Sequence, residues 1–463
     1  PLLDLVRHDQ GAARYAAVEA IAGLDRTGAT APVLAELVAS ADGALRPALI
    51  KTLVAIMDGR TNRAMSEFWR SLERPRWLGL LTEALGDEAP DTRLAAMIGL
   101  GLLGDRRGTQ PILNAYRELE NPSEEVADRV VIALVTTGDV QALMRTVASD
   151  VDPAGAIAIR ALGELGSSEA VAALMQVRRT SHDWERRMLA LRALGKIGTD
   201  EALKGITEAV EDLTGYIRCE AIRLLGESGH AMAGETLLAM LKTERYQDVR
   251  DVIVEALVRA GGHTVMVELA GQLEHSRPEV RAAAARAIGL AKLPEGLASL
   301  GDAMNDPEWR VREAAVTAIG CYDEAGALKA LLLALADDHE RVRLAATLGV
   351  ARWKTPEAKG ALVAQCLRDP DVWVRYRAAE RLGHQGATEA VPALAAILHN
   401  HREPALLQRA VVTALGSIGG APAHAALTEF LPKADDDFRN AVTQALEECA
   451  RRSTGDAQPK VVS

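Results

Sequence analysis

The segments VRAAAARAIG (280–289) and VREAAVTAIG (311–320) are two copies of one pattern, and their spacing decides the fold. A third copy, RRMLALRALG, runs over 186–195. With the second residue of each as a register mark, the series reads Arg187, Arg218, Arg250, Arg281, Arg312, Arg343 and Arg375, in steps of 31 or 32 residues. Weaker copies put marks at Arg14, Arg46, Arg93, Ala127 and Gly155 upstream, and at Gln408 and Arg439 downstream. Fourteen units then cover nearly the whole chain. A period held over so many copies predicts stacked repeats, not a row of separate globular domains.

Each unit reads as a helix pair. Asp152-Pro153, Asp306-Pro307, Asp369-Pro370 and Asn121-Pro122 are start signals for the second helix. Asp or Asn caps free backbone N–H groups there, and Pro suits the first turn. The apolar positions just before the mark, and three, six and seven after it, fall on one helical stripe. Gly195, Gly226, Gly289 and Gly320 are expected to stop these helices. A shorter apolar segment, such as 201–211 or 326–337, supplies the first helix of the next unit. One pair cannot bury its own stripe, so the pairs must stack around a shared core.

The composition agrees with this reading. Of 463 residues, 48% are hydrophobic but only 3% are aromatic, with 3 Phe in all. A β-sandwich leans on aromatic and β-branched side chains, so the fold class is all-α. Alanine at three and six after the mark lets neighbouring helices approach closely, which leaves little room for rings. The net charge of −11, from 53 Lys+Arg and 64 Asp+Glu, argues against nucleic acid as a partner. No stretch approaches 18 apolar residues free of charge, so no membrane span is expected. Cys219, Cys321, Cys366 and Cys449 lie far apart with no CxxC, which predicts free thiols in a reducing compartment and a cytoplasmic location. The first residues, PLLDLVRHD, lack a signal-peptide layout, and RSTGDAQPKVVS (452–463) reads as a disordered tail.

The repeated D-P-x-x-x-V-R-x-x-A-x-x-A-L-G signature resembles the HEAT-repeat family, in its short bacterial form sometimes called phycobilisome-lyase-like, over about residues 5–450. The resemblance implies an α-solenoid, a right-handed superhelix of about fourteen HEAT-like helix pairs. Its second helices would line a concave surface that holds partner proteins. On this reading residues 1–451 form a single continuous solenoid.

Breaks in the period mark the candidate contacts. The step from Arg46 to Arg93 is 47 residues, and the surplus falls in an insertion at about 61–85. It gathers Phe68, Trp69 and Trp77 with Arg70 and Arg74, residue types that carry interface energy. Two readings stand: a partner contact, or an extra helix whose Trp residues fill an enlarged groove. The marks at Ala127 and Gly155 have lost their Arg, in an acidic region that reads as a bend or as drift among repeats. Positions one and five after the mark are expected to face outward. Position five gives a basic ladder, Arg160, Arg192 and Arg223, suited to an acidic or phosphorylated segment of a partner protein. Position one adds Met188 and Tyr376. Trp184, Trp309 and Trp373 recur two or three residues before the mark, either covering the rim of the stack or gripping a partner. The marker Arg is read as a structural ladder between units.

Catalytic and metal readings find little support in these residues. HEAT-like hydroxylases hold a di-iron centre through several His-Glu dipeptides, whereas this chain has His339-Glu340 alone at the matching place. His399 and His401 form an HxH with no third ligand close in sequence. No metal, cofactor or catalytic residue is therefore assigned. The expectation is a non-catalytic scaffold or adaptor that binds its partner through the concave groove and the insertion. The alternative is a lyase- or isomerase-like enzyme, or accessory subunit, acting on a chromophore-bearing or otherwise modified protein.

Overall fold

The structure is a computed structural model that describes residues 2–9, 11–25, 28–41, 45–57, 72–261, 263–292 and 295–453. Among the described residues there are 28 α-helices, six short 3-10 turns and no strand. The contacts gather into two compact units, 1–228 and 229–463. Within each, every second helix packs on the second helix of the neighbouring repeat, while the first helices form a parallel layer behind. Each unit is thus a two-layered helical solenoid, and all fourteen marks lie on or just before second helices.

The apolar stripe is the core. Val280, Ala284, Ala287 and Ile288 are fully buried in the helix Pro278–Ala291, and Val311, Ala315 and Ile319 repeat the arrangement in Trp309–Ile319. Each buried Val or Ile stabilises the stack by roughly 1.5–3 kcal/mol.

Two local expectations need correction. Gly195, Gly226 and Gly289 lie inside their helices, although Gly320 does follow the last residue of its own. The glycine that stops the chain in a left-handed conformation comes three residues later, as at Gly166 and Gly198, with φ of 63° and 64°. The earlier glycine exists for packing. A Cβ at Gly289 would stand 2.5 Å from Ala318 Cβ, and one at Gly163 would stand 2.8 Å from Ala193 Cα. The second correction concerns Asp-Pro. Asp306 accepts the N–H of Glu308 at 2.9 Å, and Asp369 that of Asp371 at 2.8 Å, each three residues ahead of its helix. The aspartate closes a turn before the helix and keeps one face of its carboxylate for another partner.

The expected insertion is also shorter than 61–85. Residues Arg74–Ala84 form the ordinary first helix of the third repeat, packed on Pro90–Leu103. Trp77, Leu81 and Ala84 are its buried stripe at helical spacing. The surplus chain therefore lies upstream of Arg74.

Candidate functional site

The second helices are registered by a ladder of ion pairs. In the second unit, Arg281 donates from Nε and Nη2 to both oxygens of Asp306, at 2.7 and 2.8 Å. Arg312 does the same to Asp337 at 2.8 and 2.9 Å, and Arg343 to Asp369 at 2.7 and 3.0 Å. Each guanidinium also holds its own loop through Nη1: Arg312 donates to the carbonyls of Asp306 and Pro307, and Arg343 to those of Asp337 and Asp338. In the first unit Arg187 binds Asp212 in this manner. The marker Arg thus bridges one repeat to the next, and the aspartate that closes the turn is its acceptor.

Gly155, a mark without an Arg, shows how strongly the stack needs this group. The guanidinium of Arg186, from the following repeat, fills the place: a Cβ on Gly155 would lie 2.1 Å from Arg186 Nη1. Arg186 donates to the carbonyls of Ser149 at 2.9 Å and Asp152 at 3.3 Å, and stands 3.3 Å from an Asp150 oxygen. Arg186 sits on the apolar stripe, where other repeats carry Val, and is only 6% exposed.

The N-terminal ends of three successive second helices in the second unit, Gln247–Ala260, Pro278–Ala291 and Trp309–Ile319, border a groove of about 680 Å3. Arg250, Arg286, Arg310 and Arg341 line it together with Trp309 and the carboxylates of Glu279, Glu308 and Glu313. Trp309 stacks on His339 with ring centroids 4.0 Å apart and planes 9° from parallel. The guanidinium of Arg310 lies 4.5 Å from the Trp309 ring centroid. The ring is thereby fixed in orientation by a cation and a second ring. His339 also accepts the Arg341 N–H through Nδ1, so the lone His-Glu dipeptide serves as a helix cap and a stacking surface. Arg286 is pushed below its ordinary basicity by burial, opposed by the charge of Asp251. Its Nε and Nη2 are buried without a hydrogen-bond partner, although Nη2 stands 3.3 Å from Asp251.

The residues singled out from sequence are dispersed. Phe68, Trp69 and Arg70 lie outside the described residues. Trp77 is 4% exposed and belongs to the core of the ordinary first helix of the third repeat, while Arg74 is exposed at the start of the same helix. Met188 was expected to face outward but is 9% exposed. A second helix is flanked on both sides by its neighbours in the layer, so less of its circumference is free than an isolated helix would offer. Tyr376 is half-buried, edge-on to the exposed Trp373 at 5.8 Å, with Arg377 5.6 Å from its ring centroid.

The basic ladder does not stand free. Arg160 pairs with Glu124 at 3.0 Å and with Asp128, Arg192 with Glu220 at 2.8 Å, and Arg223 with both Glu220 and Glu227 at 2.7 Å. Arg223 is held above its ordinary basicity chiefly by the Glu220 hydrogen bond. This seam is a mixed-charge contact between adjacent second helices. Its acidic half comes from residues up to 36 positions away in sequence, so the series of arginines alone conceals it.

Among the described residues no three His, Cys, Asp or Glu side chains gather as metal ligands. No helix there is long and apolar enough to cross a membrane. Cys219, Cys321 and Cys449 take part in no disulfide.

An importin-beta structure aligns over 97% of this chain and 72% of its own length, at 14% identity and a TM-score of 0.49. Yeast importin-beta aligns over the same shares at 13% identity and a TM-score of 0.47. Human deoxyhypusine hydroxylase aligns over 63% of this chain and 99% of its own, at 22% identity and a TM-score of 0.26. No curated protein sequence matches the chain. The sequence profile of HEAT repeats matches residues 150–215, 183–258, 266–351 and 360–447, which together exceed half of the chain. With its stacked helix pairs and marker-Arg ladder, this chain belongs to the HEAT-repeat family.

Proposed function

We propose that this protein is a non-catalytic scaffold that holds an acidic segment of a partner protein in the groove bordered by residues 247–341. The observation that carries the reading is Trp309, oriented by His339 and Arg310 beside three further groove arginines. Tryptophan and arginine supply most of the energy where protein interfaces are strongest, and a ring already fixed in place loses little freedom on binding. Cysteines outside any disulfide are in keeping with action in the cytoplasm.

The test is affinity capture by the full chain from its source, followed by a binding titration of the captured partner. Trp309→Ala and Arg310→Ala should each weaken binding by at least about 5-fold, as expected for residues worth over 1 kcal/mol at an interface. The melting temperature should fall by no more than about 2–4 °C, since Trp309 is half-buried and Arg310 exposed. Equal affinity of both variants and the native chain would exclude the groove. Mass analysis of the captured partner separates the scaffold from the lyase- or isomerase-like alternative, which requires a covalent change that depends on this chain.

A further inference from the structure

The ion-pair ladder has a vacancy in the second unit, and the unpaired arginine lines the groove. Asp306 stands 25 residues after Arg281, and Asp337 stands 25 after Arg312. The residue 25 after Arg250 is His275. His275 Nδ1 accepts the Arg277 N–H at 3.1 Å, just as Asp306 accepts that of Glu308. The turn is kept and the negative charge is lost.

Arg250 is nevertheless buried more deeply than the paired arginines of the ladder, at 5% exposure. Its Nη1 holds the carbonyls of Glu244 and Arg245, the usual loop contact. Its Nη2 donates to Gln247 Oε1 at 2.8 Å, and its buried Nε has no partner. The other charges of the groove are matched: Arg286 with Asp251, Arg310 with Glu308, Arg341 with Glu313, and Glu279 with Arg277. Among the described residues Arg250 makes no ion pair, so the groove carries one uncompensated positive charge. A buried guanidinium without an anion is costly, and one carboxylate would relieve it. The neighbouring Arg286 adds two further donors without hydrogen-bond partners.

We propose that the groove receives a single carboxylate, an Asp or Glu side chain of the partner's segment, which does for Arg250 what Asp306 does for Arg281. The exposed Gln247 amide gives way, and the incoming carboxylate takes the Nε and Nη2 donors together. Trp309 covers the apolar residue beside it. One unmatched positive charge suits a monoanion, which is why a carboxylate is favoured over a phosphoryl dianion. This inference rests on the scaffold reading and names the chemistry that the same groove selects.

The full chain is to be tested against a peptide library whose central residue is fixed as Glu, Gln or phosphoserine, with degenerate flanks. The native protein should enrich Glu over Gln by about 10-fold or more, the range of a charge-assisted hydrogen bond. His275→Asp places the missing anion within the ladder; it should abolish that preference without lowering the melting temperature. Arg286→Gln should weaken the preference while leaving the ladder in place. Equal enrichment of Glu and Gln, or an undiminished preference in a folded His275→Asp chain, would overturn the proposal. A preference for phosphoserine over Glu would overturn the assignment of a carboxylate. The two readings fail separately: loss of the captured partner in Trp309→Ala, with no Glu preference in the library, keeps the scaffold and removes the carboxylate pocket.

Discussion

Arg186→Ala is expected to destabilise the first unit by about 1–3 kcal/mol, the range for leaving buried hydrogen-bond acceptors unsatisfied. The side chain reaches back into the preceding repeat and satisfies the Ser149 and Asp152 carbonyls beside Asp150. Its removal leaves those acceptors with an empty space where every well-matched repeat has a guanidinium. Gly155→Arg alone should also be harmful, because its Cβ would run into the Arg186 guanidinium. Combined, the two substitutions should recover most of the loss, since an arginine at the mark bonds the carbonyls five and six residues before it in other repeats. Urea unfolding of the four chains forms a double-mutant cycle with a large favourable coupling. Additive losses would show that Arg186 does not substitute for the missing marker.

Asp337→Ala should cost about 1–3 kcal/mol in the second unit, because Arg312 keeps its contact with Asp338. It strips Arg312 of two short hydrogen bonds in a setting where both side chains are only 12–13% exposed, and it opens the turn that Asp337 closes through the His339 N–H. The pH dependence gives a second readout. Burial, the largest single influence, pushes the Asp337 carboxyl upward, but the Arg312 hydrogen bonds, the His339 N–H, Asp338 and the Arg312 charge together hold it below its ordinary value; Asp306 is lowered in the same way by Arg281, the Glu308 N–H and the nearby arginine charges. A depressed carboxylate contributes stability that is complete above the unfolded value, about 4, and is lost as pH falls through the folded value. The native chain should therefore lose stability steeply below about pH 4, and Asp337→Ala should lose less over the same interval. Parallel acid limbs in the two chains would contradict the ladder's role.

The fold could be read from the sequence because packing imposes the period directly. Ala284 and Ala287, three and six after the mark, are fully buried, and the alanine at six is where second helices touch, as Ala318 meets Gly289 and Ala193 meets Gly163. The local chemistry was less legible, since one residue type serves several ends. A glycine near a helix end either turns the chain or admits a neighbour, and Gly195 and Gly198 do these separately, three residues apart. The Asp of Asp-Pro reads as a helix cap, whereas its outer face belongs to the arginine of the preceding repeat. The candidate site was half visible. Trp309 stands out by register, but the vacancy at His275 has meaning only once the acceptors of Arg281 and Arg312 are known to lie 25 residues downstream. The seam of Arg160, Arg192 and Arg223 was misleading for the same reason, because Glu124 and Glu220 reach it from adjacent helices.

As a scaffold, the protein holds its partner in the groove of the second unit. Hydrogen exchange of the full chain, with and without its captured partner, tests this most directly. The account predicts added protection confined mainly to the N-terminal turns of the helices Gln247–Ala260, Pro278–Ala291 and Trp309–Ile319. Protection that left these turns unchanged and fell instead on the seam at Arg160, Arg192 and Arg223 would contradict it.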